Sequence, residues 1–235
     1  MKLEHQISLK RLLRAMDIKS VVFGFDWTLA NSDVWVQSLA QYCGSRLGVD
    51  PVAFESMYRA KCADKLDAEG SVTLETLKAV GVEDPQQFYA TIPWNDLADP
   101  VLYRNVGFIF KELKAFGVKV AVLTNHRKNA ERILLADPDV AASAYVIWTQ
   151  ESFPQGKPHT TTFQVCADLL GCTMKQILFV GDRPDKEIIP ARALGMRTIR
   201  FSQQGPFSQQ RIGHIGKRAD VDMGNLNDFF NALVI

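Results

Sequence analysis

The 235-residue chain has little that would send it to a membrane, a nucleic acid or a zinc ion. No apolar run approaches the roughly 20 residues of a spanning helix. Lysine and arginine (27) nearly balance aspartate and glutamate (26), so a net charge of +1 creates no global field for a polyanion or an anionic surface. The four cysteines, Cys43, Cys62, Cys166 and Cys172, form no C-x-x-C pair, and no Cys/His cluster has zinc-ligand spacing. They read as inert thiols of a reducing, cytoplasmic compartment. No internal repeat is visible, and compositional bias is confined to the Gln- and Gly-rich stretch from Ser202 to Gly216. What is present is bulk for a core: with 47% hydrophobic and 23% charged residues, the chain can fold as one compact unit with a subordinate domain.

Between Met1 and Ser20, Leu9, Leu12, Leu13 and Met16 share a helical face, while Lys10, Arg11 and Arg14 break any apolar core of the kind a signal peptide needs. The expectation is a helix docked beside the first strand; a basic amphipathic helix touching a membrane or partner is the alternative. Val21 to Phe25 reads as a buried strand. Four helices follow: Ser32 to Leu47, one opening at Asp50-Pro51, Thr73 to Val80, and Pro85 to Ala90, punctuated by Gly48, Gly70 and Gly81. Then strands and helices alternate. Asp99-Pro100 opens a helix that stops near Gly117, and strands are expected at Val118 to Leu123, Tyr145 to Trp148, Ile177 to Val180 and Thr198 to Phe201. The helices between and after them run from about Arg127 to Leu135, Thr160 to Leu170, Lys186 to Leu194 and Asn225 to Leu233. Such alternation predicts an α/β fold whose mostly parallel sheet is covered on both faces, with ligands at the carboxyl ends of the strands.

Polar residues gather where those strands end. The first strand runs into Gly24-Phe25-Asp26-Trp27-Thr28-Leu29, the second into Thr124-Asn125. Gly156-Lys157-Pro158 precedes a helix, and Ile177 to Val180 runs into Gly181-Asp182-Arg183-Pro184-Asp185-Lys186-Glu187. Singly, each has a plain structural reading: a turn, a helix cap, a solvated lysine. In this order, they resemble the four motifs of the haloacid dehalogenase (HAD) superfamily, closest to its phosphoglycolate-phosphatase-like branch.

The resemblance implies a Rossmann-like three-layer core over residues 1–31 and 97–235, with 1–20 as a helical extension, and an inserted all-helical cap over 32–96. It implies a Mg²⁺-dependent phosphatase acting on a small phosphate monoester through an aspartyl phosphate. By position, Asp26 is the general acid and base, and Thr28 holds the loop. Thr124 and Asn125 bind the phosphoryl group, Lys157 neutralises it, and Asp182, the Asp26 carbonyl and less firmly Glu187 hold Mg²⁺. Asp185 reads as an outer-shell acid or a helix N-cap. His126 and His159 flank the second and third motifs, as pocket residues or as loop residues in solvent.

Gly24 departs from the pattern, standing where the attacking aspartate belongs. Glycine can neither attack phosphorus nor ligate a metal, so Mg²⁺ is expected to bind weakly or not at all. Gly24 is then a lesion in an active phosphatase, the mark of a protein that has abandoned hydrolysis, or a sign of unusual chemistry. A register shift making Asp26 the nucleophile would put Ala30 where the motif wants threonine. Trp27 stands where relatives carry glycine, and either packs beneath the insertion or narrows the substrate entrance. The rival function is a non-enzymatic protein that binds a phosphate-like anion or a partner; dehalogenation also needs the missing aspartate. Neither nucleic acid nor membrane is expected as a partner.

Overall fold

The computed structural model describes residues 8–63, 71–125, 129–153, 155–202, 205–206 and 219–234; Gly70, His126, Arg127 and most of the Ser202 to Gly216 stretch lie outside the described residues. The first half runs α1 (Leu9–Ala15), β1 (Ser20–Phe23), β2 (Ala30–Asn31), α2 (Asp33–Leu47), α3 (Pro51–Ala63), α4 (Val72–Ala79), α5 (Pro85–Thr91), β3 (Val101–Leu102) and α6 (Val106–Ala115). The second runs β4 (Lys119–Leu123), α7 (Asn129–Leu135), α8 (Pro138–Ser143), β5 (Ala144–Trp148), α9 (Thr160–Leu170), β6 (Ile177–Gly181), α10 (Ile189–Ala193), β7 (Arg197–Phe201), β8 (Val221–Met223) and α11 (Leu226–Val234).

Six strands form one sheet in the order β5-β4-β1-β6-β7-β8, and every neighbouring pair is parallel. Side chains alternate between its faces. Val21 and Phe23 of β1 join Val120, Val122, Val180 and Phe201 under α1, α6 and α11, while Val22 joins Ala121, Leu123 and Phe179 under α9 and α10. Helices on both faces explain why β1 is apolar without alternation: Val21, Val22 and Phe23 are all buried. The result is a three-layer α/β fold of Rossmann-like form. The chain leaves β1 toward β4 on one side and reaches β6 on the other, so the topological switch point, where such sheets bind ligands, lies at the end of β1.

Helices α2 to α5 pack on their own apolar cluster, which includes Val36, Leu39, Phe54, Tyr58, Leu77 and Ile92. The two ends of this insertion meet in a small antiparallel pair, β2 with β3. That pair replaces the expected helix start at Asp99-Pro100: α6 begins only at Val106, and Asp99 accepts from Asn129 Nδ2 (3.2 Å) and pairs with Arg132 instead of capping. Two further elements were not expected. Asp137 caps α8 by accepting from the N–H groups of Asp139 and Val140, and β8 extends the sheet edge with only three residues. The helix expected over Lys186 to Leu194 opens as a π-helical turn, Pro184–Ile188, before continuing as α10.

Cys43, Cys62 and Cys166 are buried, and burial pushes their thiols up to about 12, so they stay protonated at neutral pH. Among the described residues no helix is long and apolar enough to cross a membrane.

The residue that ties β1 to the far layer is Phe229 of α11, fully buried and edge-on to Phe23 (5.5 Å) and Phe201 (6.3 Å). Phe229→Ala should cost about 3–5 kcal/mol in urea unfolding, the usual range for emptying such a site. A loss below about 1 kcal/mol would show that α11 does not support this face.

Candidate active site

β1 ends at Phe23, and the Gly24 N–H adds one more bond to Val180 O (2.8 Å) before the chain turns. The Phe25 carbonyl then accepts from the N–H groups of Thr28 (3.2 Å), Leu29 (2.8 Å) and Ala30 (3.1 Å), and the Trp27 N–H closes the loop by donating to Ala30 O (2.7 Å). Trp27 sits at φ +49°, a left-handed conformation costing a residue with a Cβ roughly 1–2 kcal/mol. Burial of its indole in the cluster of α2 to α5 offsets that strain, and Nε1 donates to Asp33 Oδ1 (3.3 Å). Gly205, at φ +69°, approaches the indole so closely that a Cβ there would collide with it. Trp27 therefore packs under the insertion.

The motif residues converge on the carboxyl ends of β1, β4 and β6. Asp26 is half-buried, and its Oδ1 accepts from Ser32 Oγ (2.6 Å). Thr28 is fully buried, and its Oγ1 donates a long bond to Asp182 Oδ1 (3.4 Å). Thr124 is buried just past β4. Asn125 turns its amide onto the backbone of Lys157, donating to the carbonyl (2.8 Å) and accepting from the N–H (2.8 Å). The same amide lies where a side chain at Gly156 (φ +62°) would stand, which is why glycine precedes the lysine. Lys157 thus enters the site from a loop fastened to the end of β4, and its Nζ donates to Leu123 O (2.8 Å).

The carboxylate facing Lys157 is Glu187, not a residue of the first loop and not Asp182. Lys157 Nζ donates to Glu187 Oε1, while Glu187 Oε2 accepts from the N–H groups of Asp182 (3.1 Å) and Arg183 (3.2 Å). Both partners are buried, with side chains 6% and 4% exposed. A Cβ on Gly24 would lie 2.5 Å from Glu187 Oε1 and 3.1 Å from Thr28 Oγ1, so the end of Glu187 already fills the space beside the glycine. Asp185, the other candidate acid, holds Arg183 in a two-point pair (3.1 and 2.6 Å) and sits inside the helical turn, not at its cap.

For a divalent cation the donor set fits at one point. Asp182 is 2% exposed, and its Oδ2 is buried with no hydrogen-bond partner among the described residues, the state of a carboxylate oxygen shaped for a hard cation. Both Glu187 oxygens are engaged, Gly24 contributes none, and no cluster of three or more His, Cys, Asp or Glu arranged to hold a metal occurs among the described residues. Mg²⁺ commonly takes one or two protein carboxylates and keeps several waters, and Asp182 Oδ2 is the carboxylate oxygen here that meets that description among the described residues.

Two side chains of α3 that no motif pointed to lie within electrostatic reach of this site. Burial pushes the Tyr58 hydroxyl far up, with Asp26 and Arg183 near enough to act on it, and Cys62 lies within electrostatic reach of Arg183 and Asp182. Their only signal in the sequence is spacing: Phe54, Tyr58 and Cys62 recur every four residues and share one buried helix face.

The buried pair and the orphaned carboxyl generate separate expectations. Removing one member of a buried ion pair strands the other charge, so Lys157→Met or Glu187→Leu alone should cost about 3–5 kcal/mol, and the double variant clearly less than either. Additive losses in denaturant titrations would show that the two groups do not depend on each other. Burial first, then the charge of Glu187, raises the Asp182 carboxyl well above the usual value of about 3.9. The folded chain then keeps a proton that the unfolded chain has released, so stability falls as pH rises above about 4. Without divalent cations, the melting temperature of Asp182→Asn should gain on the parent between pH 4 and 7. Mg²⁺ at pH 7.5 should raise that of the parent alone. Parallel pH profiles, or a Mg²⁺ shift that survives the substitution, would contradict the assignment.

With this geometry in hand, the chain can be set beside known proteins. It is 29% identical over 193 residues to a glyceraldehyde 3-phosphate phosphatase of Methanocaldococcus jannaschii, a match covering 78% of this chain and 85% of that one. Its fold is similar to that of a predicted phosphoglycolate phosphatase from Haemophilus somnus 129pt (TM-score 0.66, 22% identity, 92% of this chain and 97% of the other). It also matches YfnB of Bacillus subtilis, a HAD-hydrolase described bound to magnesium (TM-score 0.65, 13% identity, 93% and 99%). The L-2-haloacid dehalogenase of Xanthobacter autotrophicus is a further structural match (TM-score 0.59, 21% identity, 92% and 98%). Residues 21–201, from β1 through β7 and including every strand end described above, match the family of haloacid dehalogenase-like hydrolases, and the chain belongs to that family.

Proposed function

We propose that the chain carries a phosphoryl-binding site for a small phosphate monoester, built for hydrolysis through an aspartyl phosphate, and that this covalent route is impaired by Gly24. The observation that carries the reading is the meeting of Asp26, Thr28, Thr124, Lys157 and Asp182 at the ends of three adjacent strands, around a backbone position with no side chain. Residues 32–96 serve as a cap over a core of 1–31 and 97–235, in which 1–20 is an N-terminal extension. Three-carbon phosphate esters head the substrate class, because the curated relative is named for one.

Each residue has a physical task. Asp26, oriented by Ser32, hands a proton to the leaving alcohol and takes one from water. The Thr124 hydroxyl and Lys157 ammonium bind phosphoryl oxygens. Asn125 positions the lysine by holding its backbone. Asp182 and the Asp26 carbonyl would hold Mg²⁺, which supplies screening of phosphoryl charge. Nothing at position 24 can attack phosphorus, and general acid–base help contributes only about 10² to 10⁴-fold by itself. A second reading, a protein without turnover that binds a phosphate-like anion or a partner, is favoured by one observation: position 24 offers no nucleophile although Asp26, Thr28, Thr124, Lys157 and Asp182 are all present.

Assays in Mg²⁺ with triose phosphates and generic phosphate esters decide between them. The parent should be nearly inert. Gly24→Asp should restore hydrolysis, more fully when combined with Glu187→Asp, which withdraws the crowding carboxylate by one methylene. A folded double variant that turns over no ester in the panel would overturn the phosphatase reading in favour of the binding protein.

A further inference from the structure

We propose that Glu187 is an internal anion: it fills the carboxylate place left open by Gly24, takes up the charge of Lys157 and keeps external phosphate off that lysine. Gly24 and Glu187 are then a matched pair, and the site is closed by its own side chain as well as lacking a nucleophile. The proposal rests on the phosphoryl-site reading only for the identity of the excluded anion.

The geometry points to this from both sides of the carboxylate. Oε1 lies 2.5 Å from where the Cβ of any side chain at position 24 would stand, so a substitution there forces the Glu187 carboxylate to move. Oε2 lies even nearer to the Cβ position of Gly181, the last residue of β6. Glycines at the ends of two hydrogen-bonded strands therefore flank one carboxylate, and both must lack a Cβ for it to enter. Every oxygen is satisfied: Oε1 by Lys157 Nζ, Oε2 by the N–H groups of Asp182 and Arg183. A buried charge persists only when paired and hydrogen-bonded in this way. Nor is the reach accidental. Glutamate carries its carboxylate one methylene farther than an aspartate would, and that extra length spans the gap beside Gly24.

The consequence is electrostatic. Lys157 is the cation that a phosphate at the end of β1 would use, and Glu187 holds it within a site that also contains the carboxyls of Asp26 and Asp182. Phosphate entering there meets Glu187 as a like charge and must displace it. A carboxylate introduced at position 24 by Gly24→Asp meets the same obstacle, with steric overlap added.

A double-mutant cycle read by melting temperature, with inorganic phosphate as the probe, tests both halves. Gly24→Asp should lower the melting temperature of the parent by several degrees, and the drop should at least halve in a Glu187→Asp or Glu187→Gln background. Phosphate should bind Glu187→Gln about tenfold tighter than the parent or better, and the gain should vanish when Lys157→Ala is added. Glu187→Asp, which keeps the charge, gives the cycle a second arm if the glutamine variant does not fold. Equal drops in all backgrounds, or equal phosphate affinity in the parent and Glu187→Gln, would overturn the proposal. Turnover is a separate readout. Coupled melting temperatures without hydrolysis would defeat the phosphatase reading and leave this inference standing, whereas hydrolysis with additive melting temperatures would do the reverse.

Discussion

Common polarity of six parallel strands is the constraint on which everything else in this molecule depends. Because β1, β4 and β6 lie side by side and point the same way, the residues just beyond them arrive at one edge however far apart they are in the chain. Gly24, Thr124 and Asp182 become neighbours without any local sequence relation. The apolar strands behind them are buried on both faces, so the backbone that presents these residues is held by packing on both sides. Chemistry at the edge is set by what the loops carry.

At that edge the dominant local interaction is the buried pair of Lys157 and Glu187. Its members come from loops 30 residues apart, and each is held by independent backbone bonds: Lys157 by the amide of Asn125 and the carbonyl of Leu123, Glu187 by two N–H groups beyond β6. Such a pair contributes little net stability relative to an apolar replacement, but it is costly to break from one side. Lys157 faces one carboxylate here, delivered from the turn beyond β6. Trp27 makes a parallel trade in the same loop, accepting left-handed backbone strain in return for an indole packed beneath the inserted helices. Two departures within four residues thus each have a partner elsewhere in the fold, Glu187 for Gly24 and Gly205 for Trp27.

Much of the architecture was legible in the sequence because apolar periodicity reports burial directly. The strands at Val118 to Leu123 and Ile177 to Val180 and the helices opening near Ser32, at Asp50-Pro51 and at Pro85 were readable, since each has a continuous apolar run or a helix-start residue. The failures share a cause. Asp99-Pro100 looks like a helix start, but β2 pairs with the residues that follow, and pairing across 70 residues leaves no local signal. β8 has only three residues, too few for a pattern. In the candidate site, residue types and order could be read, but contacts could not: that Asn125 grips the Lys157 backbone, or that Tyr58 and Cys62 of α3 approach the loop, depends on how distant segments pack.

By itself, the sequence determined the fold class, the family resemblance and the absence of a carboxylate at position 24, because these depend on composition, periodicity and the identity of residues at strand ends. Only the tertiary structure decided which group stands in the space that absence leaves. Side-chain reach and burial select Glu187 there: the carboxylate is long enough to cross from β6, two glycines leave it room, and a buried lysine needs a counter-charge.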